Sequence, residues 1–296
     1  MADSYDAASS SAAVPSATSS KKWRRARGGL TFPKLAAFIL KGYTLERSYR
    51  PNFFARYVEA LTAVIFVYFL GKLFTTPPAV GEAYGVDYFT FALVGTAFSQ
   101  YFNIVFRQFA LGLREEMLTG TVEPLLVTVT HPTLALLGGT LWTLIEGLFI
   151  LFFQLGLGWL LGARLGDANW AAALLVTLLA LVSFGAWGIA SAGFVLIFKK
   201  GDPIAWLVAG TTFIFGGVYF PVTLLPPWLR IISYLLPVTY ALEAIRGALF
   251  LGSTLAQLAV PLLALMGFMV VLLPVSLFLF RHATRRARRE GSLAHY

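Results

Sequence analysis

Six stretches of the 296-residue chain, at about 53–73, 88–113, 133–161, 170–198, 204–220 and 257–280, are continuous apolar runs. Each is long enough to cross ~30 Å of hydrocarbon as a helix. A further apolar segment, 222–251, is broken by Pro226, Pro227 and Pro237. It is too interrupted for a seventh regular span and is expected as a pair of short re-entrant or interfacial helices. The charge content agrees. Only 12% of residues are charged, against 58% hydrophobic and a mean hydropathy of +0.74. Globular domains carry about 25% charge, so a soluble enzyme is excluded. The expected fold is all-α and polytopic, with six transmembrane helices, an N-terminal interfacial helix and short re-entrant outer helices before the last span.

Residues 1–20 are rich in Ser and Ala and read as a disordered tail. The basic run Lys21-Lys22-Trp23-Arg24-Arg25-Ala26-Arg27 is followed by no apolar core adequate for a signal peptide. From 32 to 50, Leu35, Phe38, Ile39 and Tyr43 alternate with Lys34, Lys41, Arg47 and Arg50. That pattern fits a helix lying in the interface, with a cytoplasmic linker as the alternative. The organisation is therefore a basic tail over 1–31, a membrane domain over 32–289 and a short tail over 290–296.

Orientation follows from Lys and Arg. Of 23 such residues, about seventeen lie in the N-terminal tail, at Arg114, at Lys199-Lys200 and in the run 281–289, against three (Arg164, Arg230, Arg246) on the other side. Both termini are expected in the cytoplasm, which requires an even number of crossings. The net charge of +9 points to anionic lipid, not nucleic acid. Having no Cys, the chain offers no disulfide, thiolate metal site or cysteine nucleophile, and its three His all lie outside the middle of the spans. No metal site is expected. The sequence contains no GxxxxGK(S/T) phosphate loop, HExxH, GxSxG or GxGxxG pattern. No catalytic residue and no cofactor are assigned to this chain, so any work must be driven by a partner subunit or an ion gradient.

The most informative loop follows the second span: Arg114-Glu115-Glu116-Met117-Leu118-Thr119-Gly120-Thr121-Val122-Glu123-Pro124, continuing through Leu125-Leu126-Val127 to His131-Pro132. A charged short helix with one apolar side suits docking into a groove of another protein, and a solvated interhelical loop is the plain alternative. The stretch resembles the REx(n)GTxExLLVTP pattern of ABC-2 type transporter permeases, with His131 where relatives often have Thr. A second stretch, Gly216-Gly217-Val218-Tyr219-Phe220-Pro221 through Pro226-Pro227-Trp228-Leu229 to Leu236-Pro237-Val238-Thr239-Tyr240-Ala241-Leu242-Glu243-Ala244-Ile245-Arg246, is similar to that family's GGxxFPxxxLPxxL…PxTxxxEaxR segment. Together the resemblance covers about 34–289. It implies that 114–124 is the coupling loop meeting an ATPase subunit, which binds ATP and Mg. It also implies that Phe220, Pro221, Pro226, Pro227, Pro237, Glu243 and Arg246 belong to an outer gate. It further implies that two permease chains pair, with a homodimer expected, in a bacterial or archaeal plasma membrane. The segment 243–247 also resembles the docking loop of ABC importers, but charge bias puts it outside, and Leu249 replaces the expected Gly.

Ionisable groups in hydrocarbon cost ~2.5–3.5 kcal/mol each, so those present ask for a reason. Thr96, Gln100, Asn103 and Arg107 recur at spacings of four, three and four, forming one polar stripe on the second span. The stripe either faces a hydrated translocation pathway, touching a polar headgroup or sugar, or serves as hydrogen-bonding glue between helices. Glu146, mid-way along the third span, is expected to pair with Arg107, the alternatives being a proton or substrate contact or a buried, neutral carboxyl. Arg56 and Glu59, and likewise Glu243 and Arg246, are each three residues apart and are expected to pair locally. The small residues Gly185, Ala186, Gly188, Ala190, Ser191, Ala192 and Gly193 fit close helix packing within the subunit, with a dimer seam second. The resulting expectation is the membrane subunit of an ATP-driven exporter moving an amphipathic, lipid-linked or hydrophobic substrate. The alternative is an ion-gradient-driven secondary transporter, which would want carboxylates in related positions of two repeats. Glu146 stands alone and no repeat is evident.

Overall fold

The computed structural model describes residues 36–37, 39–44, 50–73, 76–118, 132–165, 168–198 and 203–289, and every regular element among them is helical. In chain order these are α1 (Arg50–Leu73), α2 (Pro78–Tyr84), α3 (Tyr88–Leu118), α4 (Pro132–Leu160), α5 (Trp170–Phe198), α6 (Pro203–Phe215), a 3₁₀ turn (Val222–Leu224), α7 (Pro227–Tyr234), α8 (Pro237–Phe250) and α9 (Ala259–Arg289). A short helical segment at 39–44 precedes them. It rests on α4, with the Tyr43 ring edge-on to Trp142 at 5.2 Å.

Helix starts follow local chemistry. Pro78, Pro132, Pro203, Pro227 and Pro237 each open a helix, where a fixed φ is pre-organised and the missing N–H would be unsatisfied anyway. Asp87 caps α3: the Thr90 amide donates to its Oδ2 at 3.3 Å and the Thr90 hydroxyl to its Oδ1 at 2.6 Å. Asn169 caps α5 through the Ala172 amide, 3.1 Å from its Oδ1. Its side-chain amide also donates to Ser253 O, and its backbone N–H to Ala248 O, tying the start of α5 to the end of α8.

α3 is the hub. It packs against α1, α4, α5, α6 and α8, and α5 in turn lies along α9. α3 is buried over most of its length, whereas α1 and α9 expose most of theirs, as helices facing lipid do. Phe102 of α3 stacks on Phe184 of α5 with centroids 4.8 Å apart. Small residues set this approach. A Cβ on Gly188 would come within 2.6 Å of Phe106 O on α3, and one on Gly193 within 3.3 Å of the Phe280 backbone on α9. The small-residue stripe of α5 thus serves packing inside the subunit.

The bent pair expected over 222–251 is present: α7 and α8 meet at 89°. The fifth expected span differs. α6 ends at Phe215 after 13 residues, about 20 Å of helix, because Gly217 takes a left-handed φ of 76° and turns the chain away. Among the described residues, five helices are long and apolar enough to cross a membrane, contributing Phe53–Leu73, Tyr88–Arg114, Thr140–Leu160, Trp170–Phe198 and Ala259–Arg286. The chain is a polytopic helical membrane protein.

Close packing at α5 gives a direct contrast. Gly188→Val should lower the melting stability of the detergent-purified chain by about 1–3 kcal/mol through overpacking. Gly156→Ala, with nothing within 4 Å of its Cβ, should be neutral or stabilise by up to ~1 kcal/mol. Thermal unfolding of the two variants checks the difference.

Candidate functional site

Four of the five residues singled out for a pathway meet in one place. Gln100, Asn103 and Arg107 of α3 and Glu146 of α4 line a cavity of about 320 Å³, together with Arg56 and Glu59 of α1 and Thr143 of α4. The spacing of the α3 residues puts them on one helical face, and that face looks into the seam between α1 and α4. Thr96, the fifth, is not among the lining side chains. Its hydroxyl donates to Ala92 O of its own helix at 2.7 Å and is thereby satisfied.

The cavity grades from dry to wet. Glu146 is 1% exposed and Ile150 6%, closing the deep end. Glu59, Arg107 and Leu111 are exposed, so the space opens toward the Arg114 end of α3. Glu146 forms an ion pair with Arg56. This replaces both expected pairings, Arg107 with Glu146 and Arg56 with Glu59. The reason is geometric: α1 packs across α3 and α4, so Arg56 reaches the buried carboxylate while Arg107 stays at the exposed mouth. Deeper in, Gln154 Nε2 donates to Gln100 Oε1 at 2.6 Å. Asn103 Nδ2 donates to Ser99 O at 3.0 Å, leaving its carbonyl oxygen spare.

At one end of α3 the helix runs unbroken through Arg114, Glu115, Glu116, Met117 and Leu118, with Arg114 exposed. Thr119, Gly120, Thr121, Val122, Glu123 and Pro124 lie outside the described residues, as do the basic run at 21–27 and both tails. At the other end sits the expected outer gate. Phe220 and Pro221 follow the Gly217 turn, Pro226 and Pro227 start α7, and Pro237 starts α8. Glu243 is exposed and does not pair with Arg246. Instead Arg246, only 3% exposed, donates to Gly217 O at 2.7 Å, Val218 O at 2.8 Å and Phe91 O at 3.2 Å. Its guanidinium also lies 3.5 Å from the Phe91 ring centroid. The planar fork reaches three carbonyls at once, which a point-charge ammonium could not match. A Cβ on Gly95 would land on Val218 O and Arg246 Nη2, so this seat requires glycine on α3.

Gln154, Arg56, Phe91 and Gly95 were not assigned these roles from sequence. Gln154 was within reach: it lies eight residues beyond Glu146 and therefore on the same face of α4. Nothing in the linear pattern marks Gly95, whose role depends on a chain segment more than a hundred residues away.

The buried pair offers a measurable coupling. Arg56→Leu should destabilise the chain by about 1–3 kcal/mol by stranding the Glu146 carboxylate. Arg56→Leu combined with Glu146→Leu should recover much of that loss. Thermal denaturation of both single variants and the double variant in detergent measures the cycle, and strict additivity would contradict a direct pair.

The sequence matches the ABC-2 type transporter family over residues 38–250, from the helical segment before α1 to the end of α8. No curated protein matches the chain. Since the family match covers well over half of the sequence and takes in α1, α3 and α4, the three helices that line the polar cavity, the chain belongs to the ABC-2 type transporter family and is a multi-pass membrane permease.

Proposed function

We propose that this permease is the membrane subunit of an ATP-driven exporter. Two copies pair around a pathway, and a separate ATPase subunit carrying ATP and Mg docks at the loop 114–124. The cargo is amphipathic, lipid-linked or hydrophobic and enters from the cytoplasm or inner leaflet. Both termini are cytoplasmic, a placement the Lys and Arg distribution supports. The chain crosses six times, with α6 and the bent stretch 216–220 forming the short fifth crossing, which a locally thinned bilayer accommodates.

The continuity of α3 carries this reading. One helix of 31 residues, about 46 Å long, holds the Arg246 seat near its start, the cavity residues in its middle and the first residues of the coupling loop at its end. A push on Glu115 and Glu116 therefore moves Gln100, Asn103 and Arg107 as a rigid body. It also strains the seat at Phe91 and Gly95. Nucleotide-driven closure of the ATPase pair would favour one of two arrangements of this lever. The cavity's polar lining beneath a lipid-exposed α1 suits cargo with a polar head and an apolar body. Glu146, held by Arg56, is poorly placed to carry protons, which disfavours an ion-gradient mechanism.

Reversing Glu116→Lys and Glu123→Lys together should abolish cargo-stimulated ATP hydrolysis in the reconstituted complex, by at least about tenfold, while leaving the permease folded. Retained stimulation would contradict docking at this loop.

A further inference from the structure

The cavity carries one formed ion pair and two charges outside it. Arg56 and Glu146 close on each other, whereas neither Glu59 on α1 nor Arg107 on α3 has an ion-pair partner among the described residues. Both line the same 320 Å³ space, and both lie at its exposed mouth. Gln100, whose carbonyl is taken by Gln154, keeps amide donors for a ligand. Asn103, whose amide is spent on Ser99 O, keeps its carbonyl oxygen as an acceptor.

From this we infer that the cavity recognises a zwitterion, a group bearing a phosphate or carboxylate and an ammonium a few bonds apart. This rests on reading the cavity as the cargo site. Arg107 and the Gln100 amide supply the cation and donors an anionic group needs; Glu59 and the Asn103 carbonyl supply the anion and acceptor an ammonium needs. A purely anionic headgroup would meet the Glu59 carboxylate, and a purely cationic one Arg107. A neutral ligand would strip water from both charges without replacing it. Only a ligand carrying both signs leaves neither charge uncompensated. A zwitterionic lipid headgroup and a free phosphate–amine compound share this chemistry.

The test uses the full-length chain in vesicles containing equal phosphatidylethanolamine and phosphatidylglycerol, followed by native mass spectrometry of retained lipid. The expected result is about tenfold enrichment of phosphatidylethanolamine, the scale of one charged hydrogen bond. Glu59→Gln should shift retention toward phosphatidylglycerol, and Arg107→Gln should lower retention of both lipids. Both residues are exposed, so melting temperatures should be unaltered and confirm that the variants fold. Displacement by free O-phosphoethanolamine would identify the headgroup as sufficient. Retained lipid in its presence would identify a lipid as the ligand. Equal retention of the two lipids by the unaltered chain, or an unchanged preference in Glu59→Gln, would overturn the inference. Because no ATPase takes part, that failure would leave the ATP-coupled reading intact, while loss of ATPase coupling would leave lipid selection measurable.

Discussion

A polar group inside hydrocarbon must be satisfied by the protein itself, because there is no water to do it, and α3 is where this chain meets that demand. Near its start, Phe91 O and the Phe91 ring hold a guanidinium that has no carboxylate partner among the described residues. In its middle, Gln100 is paired through Gln154. The same helix is wrapped by α1, α4, α5, α6 and α8. Burial is thus concentrated on one element, and α1, α4 and α8 each turn polar side chains toward it. In the proposed lever, α3 is the stiff element on which those contacts converge.

The Arg246 seat shows how specific such a spine must be. Three carbonyls from two separate segments converge on one side chain, and they converge only because Gly95 leaves the space. Charged hydrogen bonds of this kind contribute about 1.5–3 kcal/mol each, enough to hold the 216–218 turn and α8 against α3. Because Gly217 O and Val218 O lie on one turn and Phe91 O on α3, this single side chain ties α8 to both at once. The α5 glycines play the complementary part, holding α3 and α9 at close range through contacts without polarity.

Much of this was legible in the sequence because hydrophobic length and period are local properties. The runs at 53–73 and 170–198, the bend forced by Pro226, Pro227 and Pro237, and the one-faced stripe of Gln100, Asn103 and Arg107 all follow from spacing along a single helix. What was not legible is pairing between helices. Arg56 chose Glu146 over Glu59, and Arg246 chose backbone carbonyls over Glu243, because tertiary packing offered nearer or better-shielded partners than the next turn did. The length of α6 was misjudged for a different reason: the apolar run continues past Phe215, but the glycine pair at 216–217 stops the helix while leaving the hydropathy unchanged.

In the proposed cycle, nucleotide binding on a partner re-aims the α3 cavity from one face of the membrane to the other. The chain contains no cysteine, so Asn103→Cys places a lone reporter in that cavity. In the reconstituted complex with its ATPase, a membrane-impermeant maleimide should label this position from the cytoplasmic side without nucleotide. Trapping with a non-hydrolysable ATP analogue should reduce that labelling about tenfold, a shift of ~1.4 kcal/mol in the two-state balance, and open the position to reagent from the opposite face. Labelling from the cytoplasmic side that is indifferent to nucleotide would contradict the account.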